Sequence, residues 1–318
     1  MPATELATAH QVARGALASQ VATVVGAFWS RVDPNDIVAS WVRMVPAVAG
    51  LISNGQLEAA RGSDPFLSRL LGDIDAAGRV APSALAGIAA DGRPLANLLM
   101  YPAWNTIAAI TSGSPLIQSL AVGRAFLDLL ARTQVADAGR QADLVAMAAR
   151  PAVTSYIRVV ESPACSRCIL LAGNEYGIST GFKRHPRCDC TMEPVTKHHT
   201  PRPDSPKSLY DAMSPEQQRA TFGEAGVKAL AEGADMGQVV NARRGMGTAT
   251  AYGRKVQATT EGITRRGIAG RRLQEFGKVP GQRYAQSRTP RLMPEEILDL
   301  ADDRAHAIRL LKKHGYIV

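Results

Sequence analysis

Aromatic residues make up only 5% of the 318-residue chain, too few for a β-sandwich or barrel, whose strands are rich in Val, Tyr and Trp. Alanine is abundant and 46% of residues are hydrophobic, so the chain can bury real cores, and helices packed through small side chains are the expected way to do it. Cysteine is scarce as well: all four lie between Cys165 and Cys190, whereas an oxidised secreted scaffold would spread them to staple distant elements. A reducing compartment fits that placement. No cationic run precedes the first apolar stretch, which instead holds Glu5, so no signal peptide is expected. Charge is missing altogether from 94–123, long enough to raise the question of a membrane span, but Pro94, Pro102 and Pro115 interrupt it. A buried helix-turn-helix stretch and no membrane span are predicted there.

What is present reads as mainly α with a small β component. Residues 1–150 are predicted to be a helical domain, opened by a helix with Leu6, Ala13, Leu17, Val21, Val24 and Phe28 on one face, the helical period. Asp33-Pro34 is expected to stop that helix and cap the next. From Thr154 to Val160 the sequence turns β-branched, which suits a strand, and a second strand is expected near Cys190, giving a small β-hairpin module over 151–196. Residues 197–242 read as a linker followed by helices, with a capping box at Ser214-Pro215-Glu216-Gln217 opening a helix through Leu230 and Asp235 capping a further turn. A Gly-rich basic arm over 243–293 and a single C-terminal helix over 294–318, ended by Gly315, complete the chain.

The cysteine window runs Cys165-Ser-Arg-Cys168, then 16 residues, then His185-Pro-Arg-Cys188-Asp-Cys190. Two residues between cysteines let one tight turn aim both thiolates at a single ion, and His185 to Cys188 repeats that spacing. This is the outline of a tetrahedral zinc site with five candidates, Cys165, Cys168, His185, Cys188 and Cys190, for four positions. The sequence leaves open whether Cys190 replaces Cys188 or His185 or stands beside the site. Thiolate-rich closed shells stabilise small folds, while a hydrolytic zinc centre keeps an open position and a carboxylate base, so a structural Zn2+ is predicted. The His-x-Glu of the nucleobase deaminases does not precede Cys165, which removes that class.

The Cys-x-x-Cys followed by His-Pro-Arg-Cys-Asp-Cys is similar to the terminal motif of the phage Mu F-like minor head proteins, the head morphogenesis or minor capsid proteins of tailed bacteriophages. The stretch from Ser214 to Met246 and the closing Pro294 to Ile317 resemble actinobacteriophage members of that group. The resemblance spans about 150–318, and 1–150 shares only its helical character. It implies an internal, low-copy virion component that associates with the portal and with major capsid or scaffolding protein. Such a protein is in the host cytoplasm during virion assembly and then in the head interior. The zinc-binding role carries over onto Cys165, Cys168, His185 and the Cys188/Cys190 pair. Some related proteins are labelled capsid maturation proteases, the alternative activity, but no protease motif is matched and no catalytic residue carries over.

The net charge of +9 is placed unevenly: residues 1–160 hold 12 basic and 11 acidic side chains, and residues 201–318 hold 20 and 13. Between Arg243 and Arg291 there are 12 basic residues against only Glu261 and Glu275. The pairs Arg243/Arg244, Arg254/Lys255, Arg265/Arg266 and Arg271/Arg272 are expected to face an acidic partner. Packaged DNA, held non-specifically, is the nucleic-acid form of that partner. With eight glycines in the same 49 residues, an extended or loosely folded arm is predicted. Sparse aromatics argue against a base-stacking platform.

Overall fold

The computed structural model describes residues 3–161, 163–181, 188 and 190–318. It is mainly helical with three small antiparallel sheets, as composition predicts. The chain divides into two compact units: Met1–Ser162 with Ala172–Asp204, and Pro163–Leu171 with Ser205–Val318.

In the first unit three long helices, α1 (Ala3–Trp29), α2 (Ile37–Arg61) and α6 (Leu116–Ala148), pack on one another, with α3 (Ser63–Leu71), α4 (Leu95–Leu98) and α5 (Tyr101–Thr111) around them. The buried stripe of α1 is shifted from the predicted one. Leu17, Val21 and Phe28 do pack against the core, but the fully buried line runs through Ala7, Gln11, Arg14, Ala18, Ala22, Val25 and Trp29, and Ala13 and Val24 are exposed. Small residues win the inner face because the backbones approach closely. A Cβ on Gly123 of α6 would stand 2.3 Å from the Trp29 ring and 2.1 Å from Thr106 Oγ1. The indoles of Trp29 and Trp41 meet edge-on at 4.8 Å, and each donates its N–H to a backbone carbonyl, Leu120 and Leu99 respectively, which satisfies the polar end of a buried ring.

Two expectations for this unit need correction. Asp36, not Asp33, caps α2 by accepting from the Ala39 amide. The uncharged 94–123 stretch is only partly buried: Leu95, Leu99 and Ala103 enter the core, but Trp104, Ile107, Ile110, Leu116 and Val122 are exposed and Ile117 is 82% exposed. Its missing charges therefore leave an apolar outer face on α5 and the start of α6. Separately, Ile37–Leu71 is long and apolar enough to cross a bilayer by length and composition. Trp41, Val45, Val48 and Ile52 on it lie in the core cluster of this unit.

The unit is completed by a three-stranded sheet, β1 (Ser155–Val159), β2 (Glu175–Gly177) and β3 (Thr191–Val195), in the order β2-β1-β3. The predicted hairpin is thus one strand larger. β3 lies against α1 and α6, and Arg14 of α1 reaches it with a 3.0 Å hydrogen bond to Thr191 Oγ1.

The second unit begins with α7 (Ser166–Leu170), which packs on α11 (Met236–Ala242) and α8 (Pro206–Asp211). The Ser214 capping box is present and opens α9 (Pro215–Phe222), but Gly223 at φ +77 breaks the predicted long helix, and α10 (Glu224–Ala231) starts anew. Asp235 caps α11. The predicted loose arm is folded. β4 (Met246–Ala251) and β5 (Arg254–Thr259) form a hairpin about Tyr252-Gly253, both at positive φ, the two-residue turn that matches strand twist. Next come α12 (Ile268–Leu273) and the two-residue strands β6 (Phe276–Gly277), β7 (Gln286–Ser287) and β8 (Arg291–Leu292), the last pairing with β5. The single C-terminal helix is two, α13 (Pro294–Leu300) and α14 (Arg304–Lys313), separated where Asp303 caps α14. The glycines read as looseness instead serve turns and close approaches: a Cβ at Gly270 would lie 2.1 Å from Thr264 O.

Arg291 ties this unit together. It is 1% exposed, donates to the carbonyls of His314 (2.8 Å) and Glu261 (2.9 Å) and to Gln238 Oε1 (3.1 Å), and lies over the Tyr316 ring at 4.4 Å. His314, also buried, accepts the Leu292 amide on Nδ1 at 3.2 Å. Burial, and then the charges of Lys313 and Arg291, hold its pKa down at about 4. In the unfolded chain this ring titrates near 6.5, so between those values the unfolded state binds more protons. Stability of this unit therefore falls as pH drops from about 6.5 towards 4, by an amount on the order of 3 kcal/mol. Urea unfolding at pH 7 and pH 5 checks this. His314→Gln is expected to flatten the dependence in that window, and an unchanged slope would assign it elsewhere.

Candidate metal centre

The three sulfurs of Cys168, Cys188 and Cys190 lie within 4.8 Å of one another, and all three residues are buried. Cys168 sits in α7. Cys188 and Cys190 immediately precede β3, whose pairing with β1 through Val159↔Thr191 fixes the chain there. A group of this kind has the donor set and spacing to hold a metal ion. Of the other two predicted ligands, His185 lies outside the described residues. Cys165 is exposed and stands outside the three-sulfur group. It caps α7, its sulfur accepting the Cys168 amide at 3.4 Å, so the Cys-x-x-Cys turn has formed around it.

The surroundings of the sulfurs are set by two buried arginines that the spacing argument did not find. Arg158, 2% exposed on β1, directs Nη2 to Cys190 Sγ at 3.2 Å and to Cys188 Sγ at 3.7 Å. Positive charge against a sulfur favours the thiolate, which is the metal-binding form. Arg140 of α6, 3% exposed, donates to the Cys188 carbonyl at 2.7 Å while its other nitrogen pairs with Asp137 at 2.8 Å. The backbone at Cys188 is thereby anchored to the helical core. A signal for Arg158 was present: a cation inside Tyr-Ile-Arg-Val-Val, where every residue of the strand is buried, needs an anion close by. Further along, His199 is hydrogen-bonded at 3.1 Å to Glu193, which is 0% exposed.

No histidine ring among the described residues is hydrogen-bonded to a serine or threonine hydroxyl or to a thiol. Ser63, Asp143 and His10 do come together, but in an order unsuited to nucleophilic catalysis. Ser63 Oγ donates to Asp143 Oδ1 at 2.7 Å, and His10 Nε2 contacts the same oxygen at 2.9 Å. Both partners converge on the carboxylate, so the ring does not face the hydroxyl as a histidine base would.

The structure distributes the predicted nucleic-acid contacts unevenly. Arg243 pairs with Glu295 at 2.9 Å, Arg254 with Glu296 at 3.6 Å, and Arg244 approaches Glu261 at 4.0 Å. Glu295 and Glu296 belong to α13, beyond the basic stretch itself. Arg265 lies over the Phe276 ring at 5.0 Å. Lys255, Arg266, Arg271 and Arg272 are exposed.

No protein-family model matches the chain, and comparison with curated proteins and with solved structures finds no match either.

Proposed function

We propose that this chain is a structural minor head protein of a tailed bacteriophage, internal and portal-associated, whose cysteine centre holds zinc. The observation that carries the reading is the buried group of Cys168, Cys188 and Cys190, the same residues on which the resemblance to the phage Mu F-like proteins rests. Zinc fits the donor set. In a tetrahedral site with Zn–S bonds of about 2.3 Å, neighbouring sulfurs stand about 3.8 Å apart, inside the 4.8 Å within which these three lie. The fourth donor comes from His185 or Cys165. Such an ion closes a fold and performs no chemistry, which agrees with thiolate-rich ligation. The charge of Arg158 against the Cys188 and Cys190 sulfurs offsets part of the negative charge of a three-thiolate zinc site.

Quantitative mass spectrometry of purified mature particles of the source phage tests the reading. A few full-length copies relative to portal and major capsid protein are expected. Presence in immature heads but absence from mature ones, with processed capsid protein, would replace it with a protease or scaffold role.

A further inference from the structure

In the second unit, the C-terminal ends of α12 and α14 flank a depression of ≈510 Å³ lined by Arg271, Arg272, Gln274, Arg309, Lys312 and Lys313, with Ile317 and Val318 at its edge. No Asp or Glu side chain lines it. Arg272 is a strut: its guanidinium donates to the carbonyls of Lys312 and Ile317. The other four cations are exposed, and among the described residues none is paired with a carboxylate. This contrasts with Arg243, Arg244, Arg254 and Arg304, each of which has one. Basic residues at helix C-termini offset the helix dipole, but two such ends carry only roughly half a negative charge each. Five cations there, Arg272 included, outweigh that offset and leave one concave surface with a surplus of positive charge.

We infer that this groove holds the phosphate backbone of duplex DNA without reading its sequence. Three features select that partner. The cations surround a concavity instead of lying scattered, as tracking a backbone requires. Apolar lining is confined to Ile317 and Val318, so the buried aromatic or aliphatic anchor that a protein partner needs is missing, whereas phosphate contacts need none. No aromatic ring lines the groove, which disfavours single strands held by stacking. The inference rests on the head-protein reading, deepens the DNA contact expected of it, and narrows the dibasic pairs to Arg271, joined by Arg309, Lys312 and Lys313 of α14.

The test is fluorescence anisotropy of the purified full chain with a duplex of arbitrary sequence over a salt series. Arg309→Gln/Lys312→Gln/Lys313→Gln is expected to weaken binding by about 10- to 100-fold at low salt. It should also make the log–log salt dependence shallower by about 0.9 for each phosphate no longer neutralised, hence by about 2 to 3. Arg254→Gln/Lys255→Gln should change affinity less than about 2-fold. Photocrosslinking of the unmodified chain to bromodeoxyuridine-substituted duplex, which needs no variant to fold, should place adducts within 268–273 and 304–318. No binding by the wild-type chain, equal weakening in both variants, or crosslinks confined to the hairpin would overturn the inference. Tighter binding of polyglutamate than of DNA would replace it with an acidic protein partner. A chain that binds DNA through this groove but is missing from particles would retire the head-protein reading alone; a chain found in heads that ignores DNA would retire the groove alone.

Discussion

Replacing Cys188 and Cys190 together by serine, or exposing the protein to a strong chelator, is expected to release the metal. Amide protection should then disappear over 155–195, while α2 and α5 stay protected. The Cys188 and Cys190 sulfurs sit at the entrance to β3, and β3 is the strand that covers β1 along its full length, with five paired residues from Ser155↔Val195 to Val159↔Thr191. Without the ion, buried thiols and the Arg158 guanidinium lose the charge balance that keeps the entrance fixed. Structural zinc sites contribute on the order of 10 kcal/mol in small domains at neutral pH, so the local effect should be large. The helices should survive because their core, from Trp29 and Trp41 to Leu127 and Val135, is closed by packing and contains no candidate ligand. Hydrogen exchange read by mass spectrometry distinguishes the outcomes: deprotection throughout the chain, or nowhere, would contradict this division.

Asp143→Asn is expected to cost the first unit about 3–5 kcal/mol, because it breaks a buried ion pair from one side. Asp143 is 0% exposed and holds Arg14 NH1 at 2.6 Å, His10 Nε2 at 2.9 Å and Ser63 Oγ at 2.7 Å. His10 in turn stacks flat on Phe66 at 4.2 Å. Burial by itself pushes the carboxyl pKa up. The charges of His10 and Arg14 and the hydrogen bonds from His10 and Ser63 outweigh it and hold the group at about 2. A depressed carboxylate stabilises the fold above its unfolded pKa of 3.8, so this contribution is complete at neutral pH and is lost as pH falls from about 4 to about 2. That window lies below the one set by His314 in the second unit, and acid should therefore weaken the two units in sequence. Replacing both partners, as in Arg14→Met/Asp143→Leu, should cost less than Asp143→Asn alone, since it leaves no stranded charge. Chemical unfolding of the two variants at pH 7 gives the comparison; a double variant worse than the single would show that packing, not charge, sets the cost.

Much of this fold was legible in the sequence, for reasons that also explain the failures. The Ser214 box, the Asp235 cap and the β-branched run at 155–159 were readable because capping and strand preference are local. The apolar pattern of α1 finds Leu17, Val21 and Phe28 against the core but not the centre of the buried face, because close helix packing gives much of it to Ala7, Ala18, Ala22 and Arg14. Glycine in 243–293 was taken as looseness, yet Gly253 makes a turn and Gly270 a close approach, distinctions that need three-dimensional neighbours. The cysteine spacing brought Cys168, Cys188 and Cys190 to one place, but it could not reveal that Arg158 and Arg140 would frame them. The basic pairs were visible as charge. Which of them are tied to Glu295 and Glu296, and which share a groove with Arg309, Lys312 and Lys313, depends on α13 and α14, and no local pattern encodes that.

X-ray absorption at the zinc K-edge on the full chain as isolated addresses the central claim directly. We predict one zinc ion per chain with at least three sulfur neighbours at about 2.3 Å, and a fourth shell member of nitrogen or sulfur that assigns His185 or Cys165. A chain free of bound metal, or an edge with only oxygen and nitrogen neighbours, would contradict the cysteine centre and the functional reading built on it.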